Sequence, residues 1–368
     1  MPATSNSNPE VDWEFTPLHE LVVGIEHHIS LDALLRTNSN VDASDTHGRT
    51  ALWWAAARGD IMSARALLRH NADPNYRDNS GRSPFFAALL WHADNLDLLD
   101  LFLENRANPN SIDQAGATAL HLIAYNSSSC EAAKRISQLD IDVNRVDKGG
   151  DTPLTLACLN NRDKVARYLL DVGADVDQRN VYGSSPLLIS IVCHSYESLH
   201  VVLQFNPDCQ SADSWGRTVL MRACWKGDIT ILDILSSYGI GNRLDPLAKD
   251  ENGQTVFSDQ WIPFYVHGRS RLNALLRCIA SGHCTPCTLA ARYGIPAPDG
   301  GCSHGMLEEL GLHDIVDDMV SRMWFTDETE CNNEDDSDHS SEGYEYNSDE
   351  DLYFDAMEET EADLTMEG

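Results

Sequence analysis

Four cysteines and two histidines lie between positions 278 and 304, and their chemistry is the most specific that the sequence offers. Cys284 and Cys287 have the two-residue spacing that lets two thiolates reach one tetrahedral zinc ion from a tight turn. Cys302 and His304 would complete a set of three sulfur ligands and one nitrogen ligand. These four residues are the candidate ligands of a structural zinc ion, and the prediction for any other cofactor is none.

Other interpretations of this segment stay open. One residue separates Cys302 from His304, fewer than zinc sites usually have, so Cys278 or His283 is an alternative ligand. A redox-active Cys-x-x-Cys pair is another interpretation, although no alternation of strands and helices surrounds it. A nucleophilic Cys/His pair lacks an Asp or Asn to orient it, and we predict no catalytic residue. A helical cap with buried thiols is the last interpretation, because apolar residues recur at helical spacing in 272–279, 288–293 and 306–323.

The charge of the chain excludes several classes of function. The 368 residues include 26 Lys and Arg against 58 Asp and Glu, a formal net charge of −32. Because so acidic a chain repels phosphate backbones, we expect no direct binding of nucleic acid. The sequence shows neither a secretion leader nor an apolar run of about 18 residues, which predicts a cytoplasmic or nuclear protein without membrane contact.

Much of this charge is concentrated at the carboxyl end. Residues 326–368 hold eighteen Asp or Glu and no Lys or Arg, which leaves −14 for residues 1–325. We predict that this tail is disordered, since like charges at such density oppose collapse. Interleaved aromatic residues such as Tyr344 and Tyr353 indicate either an activation-type segment that folds on a partner or a solvating tail. Ser348 precedes three acidic residues and is a candidate phosphorylation site.

A repeat dominates the remaining sequence. A glycine stands two places before a Thr or Ser and an apolar run, and successive copies are 33, 35, 34, 33 and 33 residues apart. Each Thr or Ser is expected to accept a backbone N–H as the N-cap of a helix, and a proline often follows at the first helical position. The glycine allows the left-handed turn that precedes the cap. The repeating glycines are Gly48, Gly81, Gly116, Gly150, Gly183 and Gly216.

These repeats resemble ankyrin repeats, whose period is about 33 residues and whose signature reads T-P-L-H-x-A. Thr16-Pro17-Leu18-His19 and Thr118 to Ala124 match the signature most fully. The resemblance implies an all-α solenoid of helix-turn-helix units with turn fingers. It also implies structural, not catalytic, roles for His19 and His121. We divide the chain into a disordered start (1–15), a capping repeat (16–43), six repeats (44–239), a degenerate repeat or linker (240–270), a helical Cys/His cap (271–325) and the tail (326–368).

Ankyrin arrays are mostly protein-binding modules, so the resemblance implies a scaffold or adaptor that grips a partner on a concave face. Turn tips and first helices would line that face, and Trp, Tyr and Arg are enriched in interface hot spots. Trp53, Trp54 and Trp91 have a competing interpretation as packing residues between repeats. The candidate partner-binding residues are Trp54, Arg58, Trp91, Tyr125, Tyr182, Trp215, Arg222 and Trp225.

The predicted function is therefore non-enzymatic protein binding by a monomer, with a regulatory role. One alternative is a transcriptional co-regulator that uses the acidic tail. Another is a zinc-binding or thiol enzyme centred on the Cys/His cluster. The five cysteines scattered through the array are expected to be buried small hydrophobic residues: Cys130, Cys158, Cys193, Cys209 and Cys224.

Overall fold

A computed structural model describes residues 15–25, 30–37, 40–139, 141–224 and 229–258. In these ranges the chain forms fourteen short α-helices arranged as seven consecutive pairs, with a single 3-10 turn at Gly241–Arg243. The described residues contain no strand beyond two isolated bridges, and the predicted all-α repeat solenoid is confirmed. The pairs are α1 (Pro17–Val23) and α2 (Leu31–Leu35), α3 (Ala51–Ala57) and α4 (Ile61–Arg69), α5 (Pro84–His92) and α6 (Leu96–Glu104), α7 (Ala119–Asn126) and α8 (Glu131–Ser137), α9 (Pro153–Leu159) and α10 (Asp163–Asp171), α11 (Pro186–Val192) and α12 (Tyr196–Gln204), α13 (Val219–Cys224) and α14 (Ile229–Ser237).

The first helix of each pair begins where the sequence predicts. The Thr50 hydroxyl accepts the Trp53 backbone N–H at 3.2 Å, and Ser83 and Thr152 cap α5 and α9 in the same way. A proline fills the first position of four of these helices, where a missing N–H leaves no hydrogen bond broken. Side chains and proline geometry thus define the start of each repeat.

Stacking of neighbouring pairs forms the core. Each first helix packs on the first helix of the next pair, from α1 through to α13, and second helices from α2 to α12 pack in a parallel series. Leu52, Leu120, Leu154 and Leu187 are at most 1% exposed along this line. The apolar face that one short pair leaves uncovered is therefore buried by the next pair, as expected for repeat proteins.

A tight turn that we call a finger precedes each first helix from α3 to α13, and a seventh such turn follows α14. Fingers 1 to 7 are residues 43–49, 76–82, 111–117, 145–151, 178–184, 211–217 and 248–254. In fingers 1 to 6 the carbonyl oxygen at the tip accepts a backbone N–H from the next finger, at 2.8 to 3.0 Å. Gly150 shows why the turn needs glycine, since its φ is +75° and an added Cβ would lie 2.8 Å from the Val181 nitrogen. The fingers therefore form one hydrogen-bonded row.

The two signature histidines link neighbouring repeats. His121 Nδ1 accepts the Thr118 backbone N–H at 3.1 Å, so Nε2 carries the proton and donates to the Asp151 carbonyl oxygen at 3.0 Å. His19 makes the equivalent bonds to Thr16 and to the Arg49 carbonyl. Burial lowers the pKa of both imidazoles, which keeps them neutral. Both histidines have hydrogen-bonding roles within the repeat framework.

Several sequence predictions fall outside the described residues: the Cys/His cluster from Cys278 to His304, the acidic tail with Ser348, and Trp225. They stay predictions. Within the described ranges no group of His, Cys, Asp and Glu has the arrangement of a metal site. No described helix has the length and apolar character that crossing a bilayer requires. Cys158, Cys209 and Cys224 are buried as expected, and burial raises the pKa of the Cys158 thiol to about 12. Cys130 and Cys193 are only half-buried, so the expectation was wrong for these two.

Candidate functional site

The first helices leave fewer side chains accessible than the repeat pattern predicts. Trp54 is only 6% exposed, and its indole Nε1 donates to Asp45 Oδ2 at 2.9 Å. Asp45 Oδ1 accepts the backbone N–H groups of His47 and Arg49, at 2.9 and 2.8 Å. Trp54 therefore holds finger 1 against α3, and its burial removes it from the predicted contact surface.

Arg222 repeats this arrangement in the sixth finger. Its side chain is 2% exposed, and Nη2 donates to Asp213 Oδ2 at 2.8 Å. Arg217 Nε donates to the same oxygen at 2.8 Å, so one buried carboxylate binds two guanidinium groups. Because both sides of this ion pair are buried, Arg222 fixes the finger and is also removed from the predicted contact surface.

The sequence led us to expect that first helices line the partner-binding face. Trp54 and Arg222 belong to a row of such side chains, each two positions after the core Leu or Phe of its helix. The row also contains residues of the other first helices. The structure instead buries three of them between neighbouring helices, because the first helices approach one another closely along this row. These three are Ala87 at 0% exposure, Leu122 at 4% and Leu156 at 4%.

Aromatic rings fill the space between the first repeats. Trp53 lies edge to face against Trp54 and Trp91, with ring centroids 5.3 and 5.5 Å apart. The Arg49 guanidinium lies 4.5 Å from the Trp53 ring centroid, and Phe15 meets Trp54 at 5.5 Å. Trp91 is half-buried and Trp53 is 2% exposed. We call Phe15, Trp53, Trp54 and Trp91 the aromatic cluster, and packing between repeats accounts for its contacts.

Two further candidates lie where first helices end. Arg58 is the exposed C-cap residue of α3. Tyr125 is half-buried near the end of α7, and its backbone carbonyl accepts Arg162 Nε at 3.2 Å. Both residues lie at the ends of first helices, whereas Tyr182 and Trp215 lie on fingers 5 and 6.

Tyr182 and Trp215 come together at the tips of fingers 5 and 6. Their rings are nearly parallel, at 11°, with centroids 6.2 Å apart, and both side chains are half-buried. The Arg217 guanidinium lies 4.2 Å from the Trp215 centroid. Val181 beside Tyr182 is 61% exposed. The tip carbonyl of Tyr182 bonds to the Ser214 N–H at 2.8 Å, so the backbone holds the two rings in register.

The sequence prediction missed the residues that flank these tips. Arg145, Val146 and Lys148 in finger 4 are exposed, and so is Arg179 in finger 5. We define the finger strip as these four residues together with Val181, Tyr182 and Trp215. The sequence contains a usable signal for them, because each stands within two residues of the repeating Asp or Asn of its finger, where side chains have no helix to pack against.

Asp151 lies beside the finger strip and has an unusually high pKa for a carboxyl group. Burial, with a smaller contribution from the nearby Asp147, raises the pKa of Asp151 to about 7, although a hydrogen bond from Asn180 Nδ2 at 3.0 Å acts to lower it. Asp147 and Asp213 are each 6% exposed. The acidic side chains of fingers 4 to 6 therefore lie in the base of the strip, and its cations lie at the surface.

Comparison with known proteins agrees with this architecture. A family model for ankyrin repeats, three copies, matches residues 3–78 and 85–180. The NF-kappa-B p105 subunit of Gallus gallus is 32% identical over 175 residues, 47% of this chain and 18% of that protein. Inversin of Mus musculus is 29% identical over 218 residues, 57% of this chain and 20% of its own length. The chain therefore spans about a fifth of these relatives.

An enzyme also appears among the similar proteins. The palmitoyltransferase AKR1 of Lachancea kluyveri is 28% identical over 145 residues, which cover 38% of this chain and 19% of that protein. Ankyrin repeats are protein-protein interaction modules, and members of the family are typically non-enzymatic.

Proposed function

Because the chain belongs to the ankyrin-repeat family, we propose that it acts as a scaffold or adaptor that binds another protein along its fingers. The observation that carries the proposal is the pair of stacked rings at Tyr182 and Trp215, next to the 61% exposed Val181. Apolar side chains exposed side by side are a common mark of a protein contact surface. Aromatic residues at such positions are enriched among those that contribute most to binding energy.

The backbone supports the same assignment. Hydrogen bonds from finger to finger hold the tips in fixed order, so a partner meets a surface that is already arranged. Less ordering entropy is then lost on binding. The buried Trp54 and Arg222 contribute indirectly, since each fixes the carboxylate on which its finger is built. We propose no catalytic residue in the array.

Affinity capture with quantitative mass spectrometry tests this proposal. Full-length protein and a Tyr182→Ala/Trp215→Ala variant are used as baits in parallel. A Met62→Ala variant is the control, because Met62 is a 77% exposed apolar residue on the second helix α4. We expect at least one partner to be retained by the wild type and the control and lost by the double variant. Equal recovery on all three baits would refute binding through these tips.

A further inference from the structure

The finger strip reverses the charge of the molecule locally. The whole chain has more than two acidic residues for each basic one, 58 against 26. Fingers 4 to 6 instead present Arg145, Lys148 and Arg179 at their surface. Their two buried acids, Asp147 and Asp213, accept hydrogen bonds within their own fingers. A partner that approaches these fingers therefore meets positive charge on an otherwise acidic protein.

Two of these cations are not paired with an acidic side chain in the described part of the array. Neither Arg145 nor Lys148 forms an ion pair with a described residue, whereas Arg179 lies 3.8 Å from Asp208 and donates to the Ala212 carbonyl oxygen. Stability of the finger does not explain two exposed cations, because finger 4 is closed by its backbone and by Asp147. Their placement suits an external anionic group.

Apolar side chains alternate with these charges. Val146 is 43% exposed next to Arg145, and Val181 is 61% exposed on the following finger. The Val181 N–H bonds to the Gly149 carbonyl at 3.0 Å, so fingers 4 and 5 are adjacent. Tyr182 and Trp215 continue the row onto finger 6. A ligand that matches this surface needs both acidic and apolar groups along one extended segment.

We propose that the finger strip recognises an acidic peptide segment of the partner that also carries apolar side chains. Arg145 and Lys148 bind its carboxylates, while Val181, Tyr182 and Trp215 contact its apolar residues. This inference rests on the proposed function and specifies the chemical class of the partner. Asp151 supports it, because its pKa of about 7 lessens the negative charge beside Lys148 and Arg145 near neutral pH.

Single-stranded nucleic acid is the other ligand class with negative charge and stacking surfaces. The net charge of −32 disfavours it, since a phosphate backbone extends well beyond a short strip of cations. A peptide no longer than the finger strip contacts only the strip and avoids the acidic surface around it. The acidic peptide is therefore the class that the charge distribution favours.

Fluorescence anisotropy with the full-length protein tests this assignment. The probes are labelled peptides with identical Leu and Tyr positions that carry Asp, Ser or Lys at all others, together with a labelled single-stranded DNA. Arg145→Glu/Lys148→Glu is the test variant. Arg69→Glu/Lys164→Glu is its matched control, with the same change in charge at exposed positions on second helices. Circular dichroism confirms that both variants fold.

We expect the Asp peptide to bind the wild type more tightly than the Ser and Lys peptides, and more weakly as salt rises. The strip variant should lose about tenfold or more in affinity, and the control less than about threefold. Equal losses in both variants, or no preference for the Asp peptide, would overturn the inference. Tighter binding of DNA would also overturn it. If the Ser peptide binds equally well and depends on Trp215, the proposed function stands and only the acidic class is wrong.

Discussion

The aromatic cluster and the tips of fingers 5 and 6 use the same side-chain types for opposite purposes. Trp53 and Trp54 lie inside helix α3 and are 2% and 6% exposed. Tyr182 and Trp215 lie on turns and remain half-buried. A first-helix position faces the next repeat, whereas a finger tip faces outward beyond the helix stack. For these four rings, the position within the repeat, and not the residue type, therefore determines whether the ring stabilises the array or is available to a partner.

Replacing Trp53 should cause the largest loss of stability among the substitutions that test this comparison. Trp53→Ala removes a ring that packs on Trp54 and Trp91 and leaves a cavity between α3 and α5. We expect a loss of about 3–5 kcal/mol in the free energy of unfolding, measured by urea denaturation. Met62→Ala should change it by less than about 0.5 kcal/mol. A Trp53→Ala protein as stable as this control would mean that the cluster is not core.

Asp151 should give the next largest effect on stability, because its carboxylate is less well stabilised than that of Asp45 in the first finger. Asp45 receives the Trp54 indole, whereas Asp151 lies near Asp147 and is held by Asn180. Its pKa rises from 3.8 to about 7 on folding. The folded state then holds the proton more tightly, so stability falls as pH rises between these values and stays reduced above them.

Asp151→Asn should remove the loss of stability at high pH, because an amide stays neutral. Its side-chain oxygen still accepts the hydrogen bond from Asn180 Nδ2. The variant and the wild type should be equally stable near pH 4, and the variant should gain on the order of 4 kcal/mol above pH 7, given about 1.4 kcal/mol for each of about three pKa units. Urea denaturation across this pH range measures the difference. A variant that is less stable than the wild type at pH 8 would show that the ionised carboxylate stabilises the finger.

Two conservative substitutions separate packing from hydrogen bonding within the aromatic cluster. Trp54→Phe removes the indole donor from Asp45 Oδ2, and we expect a loss of about 1–3 kcal/mol. The buried Trp53 Nε1 has no hydrogen-bond partner among the described residues, so Trp53→Phe should cost less than Trp54→Phe. Thermal denaturation of the two variants compares them directly. The reverse order would mean that ring volume outweighs the bond to Asp45.

Local chemistry explains which features could be predicted from the sequence. Thr50, Ser83 and Thr152 signal helix starts because an N-cap depends only on residues within one turn. The burial of Trp54 and Arg222 could not be predicted from that logic, since it depends on contact with a finger. Both residues stand nine positions after a finger aspartate and donate to it. A donor side chain nine positions after a finger aspartate is therefore the signal in this sequence that indicates such a buried contact.

The smallest expected change in stability concerns the finger tips, and it is the most informative one for function. Tyr182→Ala and Trp215→Ala should each lower the free energy of unfolding by less than about 1 kcal/mol, because each ring is only half-buried on a turn, even with the stack between the two rings and the Arg217 guanidinium on Trp215. Thermal denaturation measures this cost. Losses near those of Trp53→Ala would place these rings in the core and leave the finger strip without its apolar contacts. A small loss in stability together with loss of the captured partner would show that a half-buried ring on a finger serves recognition, while a buried ring in a first helix serves the fold.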